Sequence, residues 1–194
     1  MIYVIIISTL SLVISAIIFF RDYLLHAKIE AFLGDSIQIS CKERGKEKEK
    51  KIILSFSFVN TRNRLGVVNY LKLEIETPSG NMQEFDWKIF SKWDGMNSSP
   101  DGLPRPLPVL AKSSIFQIIS FTSEDDFSWD QGVYTLTIHG WYNKYPYKGQ
   151  NNINRTIGFF LKKDDVNEIN QFLTTENGNI KTRRIKIYSV MRDV

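Results

Sequence analysis

The sequence predicts an all-β domain of about seven to eight strands, with one C-terminal helix, behind an N-terminal transmembrane helix. Three observations carry this. No charged residue precedes Arg21 in a chain whose 25 Lys and Arg face 21 Asp and Glu. The chain holds 24 Ile against only 4 Ala, a bias toward residues that favour strands over helices. From residue 36 onward, apolar and polar residues alternate in short runs separated by turn residues.

Residues 1–20 read MIYVIIISTLSLVISAIIFF, interrupted only by Ser, Thr and Tyr. At 1.5 Å per residue a helix of that length spans about 30 Å, the thickness of a hydrocarbon core. Hydroxyls at Ser8, Thr9, Ser11 and Ser15 can return to backbone carbonyls and so cost little there. A cleaved signal peptide would want a basic start and a small-residue cleavage site, and neither is present. The segment is therefore read as a retained anchor in the lipid bilayer. Arg21 and Lys28 follow it directly, so the positive-inside rule places the domain in the cytoplasm, at the cell membrane, on a single-pass anchor. The unpaired Cys41 agrees with a reducing compartment. Sequons at Asn97 and Asn154 would matter only for the opposite topology.

Residues 21–35 are expected to form a juxtamembrane helix or linker. Leu25, Ile29, Phe32 and Leu33 make a helical stripe, and Gly34 stands where a helix would end. Residues 36–163 are assigned to the β domain, with strands at 36–41, 52–60, 69–76, 82–90, 114–121, 133–141 and 155–161. In the second of these, Ile52, Leu54, Phe56 and Phe58 share one face. Between them, 42–51 is a mixed-charge hairpin, Pro78-Ser79-Gly80 a turn, and 94–108 a long proline-rich loop. Residues 164–194 should supply a helix capped by Asp164, with Val166, Ile169, Phe172 and Leu173 inward, and then a basic strand at 183–190.

At Asp130-Gln-Gly132-Val-Tyr134-Thr-Leu136 the chain resembles the strand F signature of the immunoglobulin-like β-sandwich superfamily, with Leu136 in place of the usual Cys. The resemblance implies an Ig-like sandwich in which the Tyr134 hydroxyl ties back to the preceding loop. The third strand lacks the superfamily's Trp, so Tyr70 or Leu71 would fill that space. The strand order it implies brings loop 60–66 and loop 141–149 to one pole, near the anchor. Arg62, Arg64, Trp141, Tyr142, Lys144, Tyr145, Tyr147 and Lys148 would converge there as a candidate binding site. That combination suits stacking, phosphate capture or a headgroup layer.

Catalysis finds little support. His26 and His139 are far apart, nothing near Cys41 lowers its pKa, and neither standard phosphate-binding glycine motif occurs. Glu124, Asp125, Asp126 and Asp130 lack the ligand spacing of a Ca²⁺ loop, so neither a metal nor a cofactor is expected. A net charge of +4 is modest for a nucleic-acid footprint. The sequence thus points to a non-enzymatic, membrane-anchored binding or adaptor subunit with a protein partner or self-association. The alternative is an anchored sensor whose basic-aromatic pole takes a nucleotide-like or small phosphorylated ligand. The layout resembles small anchored sandwich proteins of prokaryotic accessory or defence operons.

Overall fold

A computed structural model describes residues 2–20, 25–44, 47–93, 98–123, 128–172 and 182–186. A first helix, α1 (Ile2–Phe19), is followed by β1 (Ile29–Arg44), β2 (Glu47–Asn60), β3 (Gly66–Glu76) and β4 (Met82–Trp93). Next come β5 (Ser98–Gly102), β6 (Leu107–Val109), β7 (Ser114–Ser123), β8 (Gly132–Tyr142) and β9 (Ile153–Leu161). Helix α2 (Lys163–Phe172) and β10 (Thr182–Lys186) complete the described residues. The chain is all-β with a C-terminal helix, as its alternation predicts. It has ten strands among the described residues: the seven expected runs, the expected basic tail strand, and two short ones, β5 and β6, in and at the end of the stretch read as a proline-rich loop.

Every strand pairing is antiparallel, and one sheet runs β10-β1-β2-β7-β4-β3-β8-β9, with β5 added to β4 and β6 to β3. The sheet folds over at β4. That strand pairs with β3 through Met82–Asp86 and with β7 through Asp86–Ser91, and its register slips between Trp87 and Ile89. A strand shared in this way curls the single sheet back on itself. The far ends then approach each other, where the Arg155 guanidinium on β9 donates from Nε to the Ala31 carbonyl on β1 at 3.2 Å.

The core lies inside the curled sheet. Ile37, Ile39, Ile52, Leu54, Phe56 and Phe58 face Leu71, Leu73, Ile75, Leu136, Ile138, Phe159 and Leu161, all nearly or fully buried. The face predicted from Ile52, Leu54, Phe56 and Phe58 is therefore inward. Leu71, not Tyr70, occupies the third-strand core position. Helix α2 contributes the fully buried Ile169, with Val166 packed beside it.

Three expectations are corrected. The stripe read as a juxtamembrane helix is strand from Ile29 onward, while Leu25–Lys28 is irregular and 21–24 lie outside the described residues. Gly34 sits in a β1 irregularity between Leu33 and Ile37, not at a helix end. There the Ser55 hydroxyl leaves no room for a Cβ. Asp164 does not cap α2. Lys162 occupies that position, its carbonyl accepting from Val166 N–H at 3.0 Å and its own N–H donating to the Asp165 carboxylate at 3.1 Å. The inward roles of Phe172 and Leu173 and the strand beyond Lys186 fall on side chains or residues outside those described.

The N-terminal apolar segment is helical, but among the described residues no helix is long and apolar enough to cross a membrane. Its 18 residues reach about 27 Å, some 3 Å less than a typical hydrocarbon core. Within it the Thr9 hydroxyl does return to a backbone carbonyl, that of Ile5, at 2.9 Å.

Candidate functional site

The pole formed by the β2–β3, β6–β7 and β8–β9 connections is built around Asn60. Its buried side chain spends both amide protons and its carbonyl on one turn. Nδ2 donates to the Arg64 carbonyl at 2.6 Å and the Val109 carbonyl at 3.1 Å, and Oδ1 accepts from Arg62 N–H at 3.1 Å. The 60–66 connection is thereby closed onto the end of β6. The Arg62 carbonyl accepts from Lys112 N–H at 3.0 Å, and the Lys28 carbonyl accepts from Thr61 N–H at 3.0 Å. The segment leading in from α1 therefore meets the domain at this pole.

The 143–152 connection is tied to the same place. Asn143, in the left-handed region at φ 57°, donates its N–H to the Val67 carbonyl at 2.8 Å and accepts from Val67 N–H through Oδ1 at 2.9 Å. Asn tolerates that conformation better than most residues. Asn69 adds a bond from Nδ2 to the Lys144 carbonyl at 2.9 Å. A 3-10 turn at Pro146–Lys148 then carries Tyr145 and Tyr147, whose rings stack at 5.7 Å, and Lys148 lies over the Tyr147 ring at 5.6 Å.

Of the eight residues expected to converge, Arg64, Tyr145, Tyr147 and Lys148 are exposed on these connections, and Arg62 and Lys144 are half-buried there. Trp141 and Tyr142 shape it from within. The Trp141 indole donates to the Gly149 carbonyl at 3.0 Å and its ring meets Tyr70 at 5.8 Å. Tyr142 packs against the core, and its backbone exchanges two bonds with the Asn152 side chain. Two apolar residues join the surface unforeseen, Leu65 and Leu110, which are 54% and 66% exposed. Lys28 and Lys112 join it as further cations. Leu65 lies within the 60–66 connection already placed here; only pairing between remote segments reveals Leu110, Lys28 and Lys112.

A second polar group lies on the outer face of β8, β3 and β4. The Asn151 side-chain amide lies 2.7 Å from His139 Nδ1, and His139 Nε2 lies 3.0 Å from the Glu74 carboxylate. Lys72 is 3.6 Å from Glu74 and 2.7 Å from Glu84, while Tyr70 donates to Asp86 at 2.7 Å. Burial works against the Lys72 charge, yet the hydrogen bond and attraction from Glu84, with Glu74 and Asp86, raise its pKa overall. Burial raises the Tyr70 phenol, as do its bond to Asp86 and the Glu84 charge. This ladder is complementary across three strands and fully engaged, as a cross-strand stabilising network would be. Among the described residues no group of three or more metal-ligating side chains gathers. The Cys41 side chain and Glu124–Asp126 lie outside the described residues, as does Asn97, whereas Asn154 is exposed on β9.

The Tyr134 expectation is met in detail. Its hydroxyl accepts from Asp130 N–H at 2.8 Å and donates to the Asp130 carbonyl at 2.9 Å. The ring stacks on Phe159 at 5.1 Å and meets Trp129 at 5.4 Å.

No family model and no curated protein matches the chain. Among solved structures it is similar to a Bordetella pertussis protein to which the name ApaA is provisionally attached. That match has 8% identity and a TM-score of 0.33, over 86% of this chain and 97% of the other. A second structural-genomics target matches at 5% identity and a TM-score of 0.30, over 84% of this chain and 83% of its own. Scores of this size carry no argument about the chain.

Proposed function

We propose that the protein is a membrane-anchored, non-enzymatic binding or adaptor module, an Ig-like sandwich held at the bilayer by α1. One observation carries the anchor: residues 3–20 are exposed on every side, with Ile7, Leu12 and Ile17 each more than 60% accessible. A helix apolar all round is stable only where something apolar surrounds it, and the β domain does not. A helix of 18 residues lies within the range of about 17–25 that spanning helices adopt. Local thinning of the bilayer absorbs a mismatch of about 3 Å at modest cost. Lys28 and the basic pole on its C-terminal side favour the cytoplasmic face for the domain.

The Ig-like assignment rests on the Tyr134–Asp130 bonds and on strand order. β1-β2-β7-β4 and β3-β8-β9 follow the ABED and CFG order of such sandwiches, with β4 bridging the two. For protein contact, Phe32 on β1 and Phe116 on β7 flank Ser57 in one transverse row on the outer face. Both are at least half exposed. Paired exposed aromatics of this kind are common anchors of protein interfaces.

Flotation of the full-length chain with vesicles after alkaline carbonate washing tests the anchor, and recovery of the chain in the soluble fraction would refute it. Affinity purification of the full-length protein from its native membrane tests the adaptor role. A stable partner should be released by Phe116→Asp with the fold retained. Retention of every partner by Phe32→Asp/Phe116→Asp would remove that face from consideration.

A further inference from the structure

We propose that the pole at the β2–β3, β6–β7 and β8–β9 connections is a docking surface for anionic lipid headgroups, so that the domain lies end-on against the bilayer. The proposal deepens the anchored reading and rests on it. The connections 60–66, 110–113 and 143–152 carry Arg62, Arg64, Lys112, Lys144 and Lys148 and not one Asp or Glu. Lys28 enters at the same point through its carbonyl bond to Thr61, and its own ammonium pairs with Glu30 at 2.9 Å. The far pole lacks this uniformity. The hairpin segment 42–51 mixes six Lys and Arg with three Glu, segments 76–82 and 128–131 carry Glu76 and Asp130 and no Lys or Arg, and 162–165 is balanced.

Three connections that carry only cations on one end suit contact with a negatively charged plane, which is the character of a cytoplasmic leaflet rich in anionic lipid. The apolar and aromatic members fit the same partner. Leu65, Leu110 and Tyr147 are 54%, 66% and 77% exposed among these cations. Leucines of this kind reach below the headgroups, and tyrosines concentrate at the interface itself.

The tether makes the encounter unavoidable. From the end of α1 to Lys28 the chain spans at most about 30 Å fully extended, and Leu25 N–H bonds the Phe20 carbonyl at 3.3 Å, which shortens the path. A short tether converts weak lipid attraction into stable contact by raising the local concentration. Because the pole's loops are held by Asn60 and Asn143, the surface is pre-shaped before contact, and little ordering entropy is lost.

The test uses the full-length chain with Cys41→Ser, reconstituted in vesicles and labelled with an environment-sensitive fluorophore at Leu65→Cys or, at the far pole, Ser79→Cys. With brominated lipids containing about one-third phosphatidylglycerol, quenching at position 65 should exceed that at 79 at least twofold. It should fall to the level of 79 in phosphatidylcholine vesicles, in 0.5 M KCl, or in an Arg62→Glu/Lys144→Glu/Lys148→Glu variant whose thermal unfolding is unchanged. Equal quenching at 65 and 79 in protein that still floats after carbonate washing would overturn the docking surface and leave the anchor standing. Failure to float would overturn both. Stabilisation of the detergent-solubilised chain by ATP, without quenching at 65 in vesicles, would assign the pole to a soluble phosphorylated ligand and overturn the proposal.

Discussion

The buried side-chain amide of Asn60 donates to the carbonyl of Arg64 at 2.6 Å, which fixes the turn that presents Arg62 and Arg64. Removing it leaves the Arg64 and Val109 carbonyls and the Arg62 N–H to find other partners. Asn60→Ala should therefore lower unfolding free energy by about 2–3 kcal/mol in urea titration. Asn60→Asp should fare no better, because a carboxylate would face two carbonyls. A variant of wild-type stability would show that water replaces these bonds without cost.

Tyr134 is tied twice to Asp130, so Tyr134→Phe should destabilise the domain by about 1–3 kcal/mol and leave both backbone groups unmatched. Burial pushes the phenol up to about 12, with the Asp130 backbone bond pulling the other way and its charge adding to the rise. The folded state thus holds this proton more tightly than the unfolded chain does. The corresponding stability is complete below an unfolded pKa of about 10 and is lost as pH climbs to about 12. Unfolding followed between those values should show a downward slope that is reduced, though not abolished, in the Phe variant, because Tyr70 and Lys72 also carry raised values.

Gly132 opens β8 at φ 149°, and a Cβ there would lie 2.7 Å from two ring carbons of Pro78. Gly132→Ala should cost about 1–3 kcal/mol through backbone strain and that clash together. Gly80, at φ 83° with open space around it, carries only the backbone penalty. Gly80→Ala should therefore cost less, and thermal unfolding of the two variants side by side checks the order.

Helix α2 is held to the sheet by the fully buried Ile169, whose neighbour Asn170 donates to the Trp129 carbonyl at 3.4 Å. Ile169→Ala should cost about 2–5 kcal/mol, the range for a truncated core aliphatic. A loss below 1 kcal/mol in denaturant titration would mean that α2 docks independently of the core.

Where one local period ruled, the sequence was enough. Leu54, Phe56 and Phe58 alternate with Ser55 and Ser57, and that alternation fixes the inward face of β2 from the chain alone, whereas the burial of Ile53 on the other face does not follow from it. The charge-free segment before Arg21 likewise points to an apolar helix, because its few hydroxyls can return to the helix's own carbonyls, as Thr9 does to Ile5. The Tyr134 signature carries its own hydrogen bonds, since both partners sit four residues apart. Residues 25–33 misled for an arithmetic reason: Leu25, Ile29 and Leu33 fit a period of 2 as well as one of 3.6. Only Phe32 distinguished them, and it is half exposed on a strand. Tertiary structure alone decided what depends on remote partners. The bend of β4 at Trp87, the approach of Arg155 to Ala31 and the joining of Asn143 to Val67 are pairings across distant segments. Antiparallel pairing tolerates many such partners, and closure of the core selects one. That selection gathers Arg62, Lys112 and Lys144 at the end nearest the helix, which no window of the sequence contains.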